Sequence, residues 1–196
     1  MSSKSIIPKA FVINSLLALI STGALAQAPV TESVWSPLTS KETPACSTDL
    51  PCRIQNGNTT FSIEFNPEVF LFGDEPKQKL DSIKVKNISS ANSTPQVFAL
   101  EEMNYLSEKE YYKLFQVRFR PTGETDLAIR AYSSASEGPV YYYFLFDKRK
   151  NAFVMQQETF PQLRFDSKTR RYLTDLQSTP YVLDANLQFR PAGRRR

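Results

Sequence analysis

Histidine is absent from all 196 residues. That absence removes the commonest general base and the commonest zinc ligand together, so neither a Ser-His-Asp nor a Cys-His nucleophile set can be assembled. Glycine is scarce as well. The six glycines form no phosphate-cradling loop, and Gly-x-Ser-x-Gly is missing. Two cysteines are too few for a zinc site without further ligands. Glu64, Glu68, Glu101 and Glu102 leave carboxylate-pair catalysis formally open, but acids in such a pattern describe a solvated surface. The chain is therefore read as a non-enzyme that carries no cofactor and no metal.

A membrane-spanning run is lacking too. The apolar stretch 10–20 is broken by Asn14 and Ser15 and falls short of the roughly 20 residues a bilayer requires. Lys4 and Lys9 precede it, and Ala24-Leu25-Ala26 follows with the small-x-small pattern of signal-peptidase cleavage. The pattern predicts that residues 1–26 are a removed export signal, that the mature chain begins at Gln27, and that it resides in the periplasm with no membrane span. Loss of Lys4 and Lys9 lowers the formal charge from +4 to +2, which is not the footprint of a nucleic-acid binder. The basic tail at 191–196, ending in three arginines, reads as a solvated chain end.

Cys46 and Cys52 form a close, even pair, which an oxidising compartment predicts to be a disulfide. It would pin an extended lead, 27–59, onto a β domain spanning 60–190. Residues 60–65 alternate apolar and polar with the period of a half-buried strand. After a turn at 73–76 the habit returns at 80–86; further strands are expected at 96–100, 114–119 and 127–132. Ser107-x-x-Glu110 has the form of a capping box and predicts one short helix at 108–113.

The most ordered signal lies further on. Phe146-Asp147 is followed seven residues later by Phe153-Val154, and Phe165-Asp166 seven residues later by Tyr172-Leu173; the two copies superimpose at an offset of 19. Each reads as an aromatic strand, an Asp that opens a turn on its own backbone, and a returning strand. Two successive hairpins follow, and with them an all-β, antiparallel, propeller-like or barrel-like domain. The run Tyr141-Tyr142-Tyr143-Phe144-Leu145-Phe146 reads as a strand buried on both faces rather than a sugar-stacking platform.

From about Val117 to Tyr172 the chain resembles a family of periplasmic β-hairpin immunity proteins of Gram-negative bacteria that inhibit lysozyme-like secreted effectors. The matching positions are Gly123, Asp126, Leu127, Gly138, Tyr142 to Phe146, Asp147, Phe153, Val154, Phe165 and Asp166. In that family the first element is an EF-hand-like calcium loop with oxygen ligands at its first, third and fifth positions. Here Arg118, Arg120 and Thr122 occupy them, while Gly123 keeps the turn. Two cations do not coordinate a third, so the loop is expected to be stapled by a guanidinium pairing with Asp126 or Glu124. The resemblance implies a protein partner, namely a secreted peptidoglycan hydrolase or lysozyme. The connection holding Tyr132, Ser133, Ser134, Ser136, Glu137 and Gly138 is the expected contact loop. A non-inhibitory envelope-binding module is the alternative.

Overall fold

The computed structural model describes residues 33–38, 46, 51–100, 113–136, 138–174 and 179–193. These residues form three antiparallel sheets and no helix, so among them no helix is long and apolar enough to cross a membrane. Residues 108–112 of the expected helix lie outside the described residues, as does the signal 1–26.

The first sheet is a meander of β2 (Cys52–Asn56), β3 (Thr59–Phe72), β4 (Glu75–Asn87) and β5 (Gln96–Ala99). The central sheet has the order β1 (Val34–Pro37), β6 (Leu114–Arg118), β7 (Asp126–Ser134), β8 (Gly138–Asp147), after which β9 (Ala152–Met155) and β10 (Phe160–Pro161) both pair with β8. The third sheet is the meander β11 (Leu163–Asp166), β12 (Arg171–Thr174), β13 (Tyr181–Leu183), β14 (Phe189–Pro191). The lead 27–59 thus supplies two strands, one to each of the first two sheets.

Period-two alternation builds the core from β8 outward. Tyr142, Phe144 and Phe146 face the first sheet and join Phe61, Ile63, Phe65, Leu80 and Ile83. Tyr141, Tyr143 and Leu145 point the other way, toward Phe160, Leu163, Tyr172 and Phe189 of β10 and the third sheet. The central sheet is therefore covered on both faces, which is why β8 reads as an unbroken apolar run. Each large side chain so buried contributes about 1.5–3 kcal/mol. Among the described residues none of the sheets closes into a barrel. Apolar residues on both faces of one sheet suit a stack, in which each sheet covers its neighbour, and not a small barrel with an outer face in water.

Both copies of the 19-residue repeat are hairpins. Asp147 Oδ1 accepts from Arg149 N at 2.9 Å and Asp166 Oδ1 from Lys168 N at 3.0 Å. Each turn closes on a residue in the left-handed region, Asn151 (φ 49°) and Arg170 (φ 56°). A third copy, not evident in the sequence, joins β13 to β14: Asp184 Oδ1 accepts from Asn186 N at 2.8 Å, and Leu187 has φ 59°. It escapes a search for aromatic pairs because Leu183 precedes the Asp and its turn is one residue shorter.

Side-chain amides sew the sheets together by imitating a strand edge. The Asn56 amide donates to Thr125 O, and its Oδ1 accepts from Thr125 N, both at 2.8 Å. Gln96 does the same to Phe153, at 2.9 and 2.8 Å. Gln156 bridges Leu187 O and Phe189 N at 2.6 and 2.9 Å. Such clamps satisfy backbone groups that burial would otherwise orphan.

Candidate functional site

The end of β6 and its connection to β7 carry Arg118, Arg120, Thr122 and Gly123, the positions that the resemblance aligns with a calcium loop. Gly123, at φ 79°, makes the turn, and its N–H donates to Arg120 O at 3.1 Å. Arg120 then folds inward: its Nε donates to Asp126 Oδ2 at 2.7 Å and its terminal nitrogen to Asp126 Oδ1 at 2.5 Å and to Phe146 O at 2.9 Å. Asp126 Oδ1 also accepts from Phe146 N at 2.8 Å. The pair is buried, 6 % exposed on the arginine side and not at all on the aspartate. Burial pushes the Asp126 carboxyl up from 3.8 to about 6, with the guanidinium and the Phe146 amide pulling against it. Of the two arginines only Arg120 reaches Asp126. Arg118 donates instead to Thr125 Oγ1 at 3.2 Å, and Thr122 is exposed.

The expected contact loop is the turn between β7 and β8. Its strands close at Ser133↔Pro139 and Ser134↔Gly138, and Gly138 takes φ 68°. Ser133, Ala135, Ser136 and Pro139 are exposed. Tyr132 instead packs against the core between the first two sheets, and Ser133 Oγ accepts from the Arg130 guanidinium. Glu137 and the side chain of Ser134 lie outside the described residues. Behind this turn, Val140 to Asp147 are all buried. At the middle of β8, the Tyr143 hydroxyl donates to Pro161 O at 3.1 Å and accepts from Leu163 N at 2.9 Å. Burial drives that phenol well above its ordinary 10.

A second projecting element was not anticipated. The hairpin of β3 and β4 is far longer than its neighbours: β2 pairs only with Thr59 to Ile63, and β5 only with Ser82 to Val85. Beyond the register shift at Asn66/Pro67, the two strands pair with each other up to Phe72↔Glu75, and no third strand flanks them among the described residues. Odd positions of β3 form the core face (Phe61, Ile63, Phe65), yet farther along the same face Val69 is 61 % exposed and Leu71 71 %. Phe61 contacts Phe146, whereas Phe98, which pairs with Ile83 and so sits level with Phe65, contacts Phe144. Moving forward along β3 is thus moving backward along β8. The ribbon tip and the β7–β8 turn lie at the same end of the stack.

Beside them a cavity of about 620 Å3 opens between Ala99, Tyr142 and the Met155 to Thr159 excursion. The Gln156 amide in its wall is already committed to Leu187 and Phe189. Cys46 and Cys52 are bonded, with Cα atoms 4.9 Å apart. Cys46 is fully buried in the core, and its carbonyl accepts from Phe65 N at 2.6 Å. No protein-family model matches the chain, and no curated protein or solved structure is detectably similar to it.

Proposed function

We propose that this chain is a periplasmic protein-binding domain that inhibits a secreted peptidoglycan hydrolase of the lysozyme type. One observation carries the reading. A strand buried on both faces, β8, adjoins an exposed turn of small residues, Ser133, Ala135 and Ser136, of which the two serines carry hydroxyls. A loop anchored so firmly loses little conformational entropy when it enters a cleft. Arg120 and Asp126 hold the far end of the same hairpin, and the resemblance over Val117 to Tyr172 supplies the class of target.

The test is loss of turbidity of a cell-wall suspension by a secreted muramidase encoded beside the gene, with and without the mature chain. Near-stoichiometric, selective inhibition is expected. Gly138→Val should weaken it, because Gly138 sits at φ 68° in open space and a β-branched side chain there forces the turn to change shape. Full lysis at every ratio, with no complex on gel filtration, would refute the inhibitor reading.

A second reading, an envelope-binding module, draws on charge. Residues 163–196 contain eight basic and three acidic side chains, and by strand alternation Arg164, Arg171 and Arg190 share the outer face of the third sheet. Co-sedimentation with purified sacculi in the absence of any hydrolase, abolished by Arg171→Glu, would favour that reading.

A further inference from the structure

The ribbon carries an interface of its own. Phe65 N donates outward to Cys46 O, so by alternation Pro67, Val69 and Leu71 also turn their backbone groups to the outer edge of β3. The extra residue at the register shift is Asp81 on β4, which leaves the alternation of β3 intact. Between Pro67 and Phe72 this edge has no partner strand among the described residues. The opposite edge, on β4, is interrupted where Pro76 offers no N–H. The β3 edge, Val69-Phe70-Leu71-Phe72, carries no charge at all. An isolated two-stranded ribbon with an apolar face is marginal in water.

We propose that this edge is a self-association surface, at which β3 of one copy pairs antiparallel with β3 of a second copy about a two-fold axis through Phe70. That register sets Val69 opposite Leu71 of the other copy. It closes four backbone hydrogen bonds and uses both the N–H and the C=O of each residue. Glu68 then faces Phe72 rather than an acid, so no like charges oppose one another. Centring the axis on Leu71 would bring Glu68 against Asp74, and centring it on Val69 would leave the Leu71 carbonyls unpaired. The four exposed side chains, Val69 and Leu71 from each copy, merge into one apolar stripe, and the interface is isologous and closed. The inference rests on the ribbon alone and stands apart from the hydrolase reading.

Sedimentation velocity of the mature chain across micromolar to millimolar concentrations should show a monomer–dimer equilibrium. Leu71→Pro, which deletes one edge N–H per copy, should raise the dissociation constant by about tenfold or more, the equivalent of about 1.4 kcal/mol. Val69→Lys should abolish the dimer while leaving the circular dichroism unchanged, since Val69 lies outside the core. Phe70→Cys tests the register. A non-hydrogen-bonded antiparallel pair brings Cα atoms to about 4.5 Å, within disulfide reach, so this variant should oxidise to a covalent dimer with the Cys46–Cys52 bond retained. A chain that stays monomeric at millimolar concentration, or a dimer indifferent to Val69→Lys and Leu71→Pro, overturns the proposal. So does an edge protected from hydrogen exchange in the monomer, because it would mean that the chain covers its own β3.

Discussion

Two short apolar runs with nearly the same composition meet opposite fates in this molecule. Phe144-Leu145-Phe146 is buried on both sides of the central sheet, while Val69-Phe70-Leu71-Phe72 continues a core face out of the core, leaving Val69 and Leu71 exposed. Nothing local separates them. The difference is what lies above and below: β8 is sandwiched between two other sheets, whereas the ribbon has outrun β2 and β5. Burial is a property of neighbours, and an apolar strand without neighbours is a surface in search of one.

The most direct way to break the comparison is to truncate one residue in each run. Phe144→Ala should cost about 3–5 kcal/mol, the usual loss for a large aromatic removed from a core that cannot collapse around the void. Leu71→Ala, measured at a dilution where the chain is monomeric, should stay within about 0.5 kcal/mol of the parent. Urea denaturation decides both. A large loss at Leu71 would mean that the ribbon is part of the folded core after all.

The next largest effect concerns the buried pair that ties β7 to β8. Arg120→Met strands Asp126 in a site closed to water and should destabilise by about 3–5 kcal/mol, whereas replacing both partners with apolar residues should recover most of that. The pair also gives stability a sign with pH. The Asp126 carboxyl holds its proton up to about 6 in the fold against 3.8 otherwise. Its contribution is therefore complete below pH 3.8 and is lost as pH rises through about 6. Arg120→Met should extend that window upward, and Asp126→Asn should erase it; the urea midpoint followed from pH 4 to 7 reads both.

The smallest effect has the opposite sign. Arg170 sits at φ 56° in the β11–β12 turn with its side chain exposed. Arg170→Gly should therefore relieve strain and stabilise by up to about 1 kcal/mol. Destabilisation, read by thermal melting, would show that the turn draws on the arginine side chain.

The repeat of Asp147 and Asp166 was legible because the constraint is local: an aspartate caps its own turn two residues on, whatever surrounds it. The burial of β8 was legible because an uninterrupted apolar run has few other solutions. Arg120 could be read only as one of two candidates, since nothing in the order Arg118-Phe119-Arg120 says which guanidinium turns inward. The amide clamps of Asn56, Gln96 and Gln156 left no trace. Their partners are backbone groups 69, 57 and 31 to 33 residues away in the chain, and any asparagine or glutamine on a surface looks the same in sequence.

Period, turn chemistry and composition thus determined by themselves that this chain is antiparallel β, where the hairpins at Asp147 and Asp166 turn, and that Cys46 and Cys52 would pair. The tertiary structure alone decided which apolar face is core and which is bare. Alternation specifies that a strand has two different sides, but only the sheets stacked against it determine what each side meets.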